Sequence, residues 1–388
     1  MIDAYDLRAI RDQLPAVRHA VYMNTGTAGP LPEEAADALG EAFAAQVARG
    51  RIDPEAWNSE RETAATLRQS VADLLHSGPD TVALTHHTTD GLNAAALGMA
   101  WQPGDVVLTT DCEHAAIQLV MGALRLRDGV RVKVARLADA DGPEEMFERI
   151  RTEMDGRVRA VFLSHVSYAN GAVLPLGEIA AAASDRGVTT VVDGAQAVGA
   201  MQVLPEELGV DFYALPGQKW LLGPEGTGAL WVAPGRQQEL RPGAIGYASV
   251  RSVDNEGYFL PQPGARRLEV GTVFGPGLAG WSASLGWLAR IGWPEIWART
   301  YDLAETARLA LGEIPGVSVL TPPGHAGLVS FRIEGVRAEA AVEQLGGAGF
   351  RVRSIPGWDA VRISCGFFLE EDEVERLVSE VSALGPAV

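Results

Sequence analysis

The 388-residue chain is long enough for two domains with sizeable cores, and its 47% apolar and 21% charged content is ordinary for a soluble globular protein. A formal net charge of −18 opposes non-specific attraction to polyanions, which argues against nucleic acid or an anionic membrane surface as partner. Residues 1–6 lack a basic stretch leading into an apolar core, no apolar run is long enough for a membrane span, and two cysteines, Cys112 and Cys365, suit a reducing cytoplasm better than a disulfide framework.

From about residue 33 to 77, Ala-rich and Leu-spaced segments predict helix, interrupted near Gly50 and Pro54. Short β-rich runs then alternate with amphipathic segments, at residues 81–85, 105–110, 131–134, 159–164 and 189–193. Strands separated by helical patterns imply βαβ units, hence an α/β fold with a mostly parallel sheet covered on both faces. Ligands of such sheets bind beyond the carboxyl ends of the strands, so the residues after each run are the ones to read for chemistry. Past the run 230–232 comes a Gly/Pro-rich region from Pro242 to about Pro276, then a helical stretch over 281–291. The last hundred residues mix helices with a short sheet and read as a smaller α+β domain, with the N-terminal arm packed against it.

After the first run, His86-His87-Thr88-Thr89-Asp90-Gly91 opens an Ala-rich helix, where hydroxyls and free N–H groups suit a phosphate. Thr89 or Asp90 equally suits a plain helix cap. A metal role for His86 and His87 lacks a supporting ligand cluster. The second run leads into Asp111-Cys112-Glu113-His114, which places an imidazole where it can face a planar cofactor or move protons near neutral pH. The fourth run ends in Ser164-His165 and a polar loop to Gly171, with His165 read as a structural histidine. The fifth ends in Asp193-Gly194-Ala195-Gln196, and a semi-buried carboxylate there calls for a cation, unless it caps the next helix.

Only two lysines stand among the 32 basic residues, Lys133 and Lys219. Lys219 lies in Pro216-Gly217-Gln218-Lys219-Trp220, followed by Gly223, Gly226 and Gly228. An arginine cannot form an imine, whereas a lysine amine shifts its pKa readily and can act as a nucleophile. Near the C-terminus, residues 350–364 read as a hairpin. With Gly357-Trp358 as its two-residue turn, Arg353 and Arg362 fall opposite each other on one face. Like charges across a ladder repel, which makes sense if an anion such as a carboxylate lies beside them; a solvated surface pair is the alternative.

Taken in order, Thr88-Thr89-Asp90-Gly91-Leu92-Asn93, Glu113-His114, Asp193-Gly194-Ala195-Gln196, Gly217-Gln218-Lys219 and Glu269-Val270-Gly271-Thr272 give the chain its family likeness. Over nearly its whole length it resembles the aminotransferase class V group of fold-type I pyridoxal-phosphate enzymes, which holds cysteine desulfurases, isopenicillin N epimerase-like proteins and cysteine/cystine C–S lyases. The resemblance implies a large domain with a mostly parallel seven-stranded sheet over 26–275, a smaller α+β domain over 276–388, and an arm over 1–25. It also implies pyridoxal 5'-phosphate as cofactor, a small amino-acid substrate and a homodimer.

By position, the resemblance makes Lys219 the residue that carries the cofactor as an imine, His114 the ring stacked on it, and Asp193 the partner of its ring nitrogen. Gln196 is then a donor to the phenolic oxygen, and Thr88, Thr89 and Gln218 hold the phosphate. Thr272 reaches the neighbouring subunit's site, Arg362 grips the substrate carboxylate with Arg353 beside it, and Asn170 is a weaker match in the substrate pocket. Desulfurases accept sulfur on a cysteine shortly before the C-terminal arginine, and this sequence has none there. The expectation is therefore β-elimination on cysteine, cystine or an S-substituted cysteine. The alternatives are a desulfurase with an external acceptor, an epimerase, an aminotransferase, or a non-catalytic metabolite binder.

Overall fold

The computed structural model describes residues 5–239, 241 and 243–384. The first four residues of the expected arm, the last four of the expected small domain and Pro242 lie outside them. Seven strands form one sheet: β1 (Val82–Thr85), β2 (Val106–Thr110), β3 (Arg131–Ala135), β4 (Val158–Ser164), β5 (Thr189–Asp193), β6 (Phe212–Pro216) and β7 (Gly228–Val232). Their order is β1-β7-β6-β5-β4-β2-β3. All run parallel except β7, which is antiparallel to both its neighbours.

Side chains alternate between the faces with period two. Leu84, Leu108, Val161, Leu163 and Leu215 join the core on one side, and Ala83, Val107, Phe162, Phe212 and Ala214 the core on the other. Burial on both faces is why these strands read as unbroken apolar runs. β6 was not among the runs predicted from sequence. Its segment FYALP ends in proline, which cannot donate to a ladder and is tolerated here because Pro216 is the strand's last residue.

The helical stretch predicted over 33–77 is two helices, Glu33–Arg49 and Pro54–Leu74. Gly50 ends the first at positive φ; Asp53 caps the second by accepting from Ala56 N, and Pro54 occupies its first turn. Both pack on the helix Gly275–Ile291, whose Leu278, Trp281 and Leu285 join the core of the large sheet. Farther along the same helix, Trp287 and Leu288 belong to a separate core. The helix thus runs continuously from one core into the other.

That second core surrounds an antiparallel sheet of β8 (Val317–Val319), β9 (Leu328–Ile333), β10 (Arg353–Ile355) and β11 (Ala360–Ser364), in the order β8-β9-β11-β10. The N-terminal segment contributes Ile10, Leu14, Val17 and Met23 to it, and Val21–Tyr22 pairs in parallel with Phe350–Arg351. Arg353 stands opposite Arg362, as the hairpin reading requires. The turn, however, is the four residues 356–359, with Gly357 and Asp359 at positive φ. Among the described residues no helix is long and apolar enough to cross a membrane.

Candidate active site

One cavity opens at the carboxyl ends of the parallel strands, and most of the predicted site residues line it. Thr88 and Thr89 begin the helix Thr88–Gly98 that follows β1. Its cap is His87, whose Nδ1 accepts from Asp90 N at 3.0 Å, so neither Thr89 nor Asp90 has that role. The threonine hydroxyls and the Thr88 and Thr89 N–H groups therefore remain for a ligand. Asp90 instead pairs with the exposed His86 ring at 2.9 Å.

His114 caps the helix Ala115–Asp128, its Nδ1 accepting from Ala116 N at 3.2 Å. That bond leaves Nε2 as the protonated nitrogen of the neutral ring. The ring is exposed in the single chain and meets Tyr168 edge-on at 5.1 Å. Burial, and then the positive charge of Lys219, hold the His114 pKa below its ordinary value. His165 points away from the cavity, with Nδ1 2.7 Å from the Tyr213 hydroxyl, and burial pushes it down to about 4.

Asp193, the last residue of β5, is 5% exposed. Its Oδ1 accepts from Ala195 N at 2.9 Å, while Oδ2 has no hydrogen-bond donor among the described residues. Burial raises its pKa and Lys219 opposes that rise. Gln196 is held from two sides: Nε2 donates to Gly26 O at 2.8 Å, and Oε1 accepts from Trp220 Nε1 at 3.0 Å. One amide hydrogen is left over for a ligand.

Lys219 lies in the turn between β6 and β7, pinned by Gly217 N to Thr227 O, Gly223 N to Gly217 O and Leu222 N to Lys219 O. Its Nζ has no hydrogen-bond or ion-pair partner among the described residues. By contrast, Lys133 pairs on the surface with Glu153 and Asp155. Burial pushes the Lys219 amine down to about 8; Asp193 opposes the fall, and Arg362 and Arg353 add to it. The sign is simple: the amine is a cation below that pH and a free nucleophile above it. Covalent uptake of pyridoxal phosphate by cofactor-free protein is therefore expected to speed up through a midpoint near pH 8. Stopped-flow absorbance across about pH 6–12 checks this; a midpoint at the ordinary lysine value of ~10.4 refutes it.

Arg362 is 1% exposed and has no carboxylate partner among the described residues. Nη1 donates to Tyr168 O at 2.9 Å, Nη2 to Thr27 Oγ1 at 3.3 Å, and the buried Nε is unpartnered. Burial, followed by Arg353, pushes it down to about 9. Arg353 donates to the same Thr27 oxygen at 3.2 Å, so two guanidinium groups share one hydroxyl at the cavity wall. A buried arginine without an acid is costly unless an anion completes it.

Sequence reasoning gave no role to residues 24–29, which close the cavity. Thr27 donates to Asn24 Oδ1, and Gly29 N donates to Gln218 O. A Cβ on Gly29 would lie 2.3 Å from Lys219 O, so only glycine lets this strand of chain pass the lysine turn. The run Asn-Thr-Gly-Thr-Ala-Gly is the one sequence signal by which this segment stands out.

Two predicted residues do not line the cavity. Asn170 turns inward: its Oδ1 accepts from Ala172 N, because the loop's buried backbone needs that partner more than a ligand does. Thr272 is exposed and 2.8 Å from the Tyr247 hydroxyl. Its segment is fixed by Glu269, which takes Arg68 at 2.7 Å and Leu84 N at 2.9 Å.

The donor set fits a phosphorylated pyridine aldehyde. It offers an unpaired amine, a buried carboxylate with a free oxygen, a helix N-terminus with two hydroxyls, and an exposed imidazole. Sheet and site together define a fold-type I pyridoxal-phosphate enzyme, and the cofactor is pyridoxal 5'-phosphate.

The family model for aminotransferase class-V matches residues 21–377, and the chain belongs to that family. It is 33% identical over 389 residues to the isopenicillin N epimerase of Streptomyces clavuligerus, covering 94% of each chain. It is 30% identical over 399 residues to a probable cysteine desulfurase of Methanothermobacter thermautotrophicus, covering 97% of this chain and 98% of the relative. Among solved structures, it superposes on the cystine C–S lyase C-DES in complex with its reaction product, cysteine persulfide. That match has a TM-score of 0.91 and 29% identity, covering 96% of this chain and all of that one.

Proposed function

We propose that this protein is a carbon–sulfur lyase that performs β-elimination on cysteine, cystine or an S-substituted cysteine, working as a cytoplasmic homodimer. The observation that carries the reading is Arg362: a buried guanidinium with no acid partner among the described residues, with Arg353 beside it, in the cavity that holds Lys219. Such a pair suits substrate carboxylates. The chain's two cysteines support elimination over sulfur transfer to a protein thiol. Both are buried, neither lines the cavity, and burial holds the Cys112 and Cys365 thiols far up, where a thiolate nucleophile is scarce.

When bound, the cofactor supplies an electron sink for the pair left on the substrate's Cα. The protein supplies the rest. Lys219, with its lowered pKa, removes the Cα proton, and Asp193 stabilises a proton on the ring nitrogen. His114 would lie over the ring and would return a proton to the departing sulfur. Thr88, Thr89 and Gln218 hold the phosphate, Gln196 donates to the phenolic oxygen, and Thr272 serves the neighbouring copy's site. Arg362 and Arg353 orient the substrate.

A panel of cysteine, cystine and S-substituted cysteines tests the reading through pyruvate release. Pyruvate and ammonia in equal amounts, without added keto acid, are expected. The identity to an isopenicillin N epimerase favours a second reading, in which Lys219 takes the Cα proton from one face and a second acid returns a proton to the other. Inversion at Cα without pyruvate selects that reading, alanine with released sulfide selects a desulfurase, and dependence on a keto acid selects an aminotransferase.

A further inference from the structure

Glu113 is 2% exposed, and no cation pairs with it among the described residues. Its Oε1 accepts from Thr110 Oγ1 at 2.7 Å, and its Oε2 accepts from Ser164 N at 2.8 Å and Ser164 Oγ at 2.5 Å. Thr110 Oγ1 in turn accepts from Cys112 N at 3.2 Å, so its own hydrogen is committed to the carboxylate. Thr110 ends β2 and Ser164 ends β4. The ladder between those strands stops at Leu108 and Val161, and the Glu113 side chain spans their ends beyond it. On one side the chain continues directly into His114. On the other, Ser164 lines the cavity and stands in register with Asp193.

We propose that Glu113 is a positioning residue: its buried carboxylate ties the ends of β2 and β4 together, sets His114 and Ser164 in the cavity wall, and fixes where the Ser164 hydroxyl proton points. With that proton committed to an ionised Glu113, Ser164 can only accept from whatever fills the cavity. With Glu113 protonated, the acid can donate to Ser164 Oγ and the serine hydrogen is free to turn toward the cavity. Burial pushes Glu113 up to about 7; the bonds from Ser164 and Thr110 oppose that, and the charge of Asp193 adds to it. Of its titratable chain neighbours, Cys112 keeps its proton because burial holds the thiol up, and His114 is held below its ordinary value by burial and then by Lys219. The two arrangements therefore exchange near neutral pH.

The inference needs the cofactor at Lys219 but not the choice of reaction, so it is tested on cofactor-loaded protein by spectroscopy as well as by turnover. Wild type is expected to show an inflection near pH 7 in the visible cofactor band. Glu113→Gln, isosteric and unable to ionise, is expected to lose it. On any substrate that is turned over, kcat is expected to fall about 10- to 100-fold with little change in KM, the signature of groups held slightly out of place. An inflection that persists in Glu113→Gln, its absence from wild type, or an effect confined to KM overturns the proposal. Ser164→Ala and the double variant add a cycle: the double is expected to be no worse than the poorer single, and multiplied losses refute the shared network. Should Glu113→Gln not fold, Thr110→Val removes one bond to the ionised form. It is then expected to move the inflection to higher pH, and an unmoved inflection counts against the proposal.

Discussion

Replacing Lys219 by arginine is expected to lower turnover by about 10³-fold or more and to remove the visible absorbance of lysine-bound cofactor, as Lys219→Ala also does. The arginine keeps the charge and much of the bulk, so any role as a mere cation beside Asp193 is preserved. What it loses is an amine able to shed its proton, because a guanidinium stays protonated even where burial disfavours the charge. The position is prepared for that amine. The turn between β6 and β7 is pinned by three backbone bonds, and Nζ projects into the cavity without a partner. Lys219→Ala is expected to fold with little change in melting temperature, since burial already disfavours the charged amine and Lys219 makes no ion pair among the described residues. Turnover by Lys219→Arg within tenfold of wild type would falsify the assignment.

Arg362→Ala carries the second large effect. Truncating one partner of a buried charge pair costs about 2–5 kcal/mol, so KM for the amino acid is expected to rise about 30-fold or more. Arg351→Ala is the control, because Arg351 is exposed and, among the described residues, its guanidinium bonds only to Phe350 O. Arg353→Ala is expected to fall between the two, since Arg353 is less buried and shares Thr27 with Arg362. Arg362→Ala also removes an unpaired buried cation from the resting protein, so thermal stability is expected to hold or rise while affinity collapses. Equal KM effects at positions 351 and 362 would argue against a carboxylate grip.

Much of the site was legible before any coordinates because its chemistry depends on residue type at fixed offsets from strand ends. One of only two lysines in an arginine-rich chain, an acid after Thr-Thr-Val-Val, and a histidine a few residues past a β-rich run all fall at one end of the sheet. The hairpin register was legible too: period-two alternation puts Arg353 and Arg362 opposite each other whether the turn has two residues or four. Other features were less so. His87 caps the helix Thr88–Gly98 where threonine or aspartate was expected, since a β-region backbone there lets the imidazole nitrogen reach Asp90 N.

The sequence by itself determined the strand runs, the lysine, the acid and the pair of arginines, because covalent neighbours and local periodicity dictate these. Only the tertiary structure decided that Thr27, 335 residues away from Arg362, joins the two guanidinium groups, and that Glu113 is sealed between two strand ends. It also decided that Asn170 faces inward. Such placements follow from which buried polar groups find one another once the chain is packed, and that depends on contacts between segments far apart in sequence.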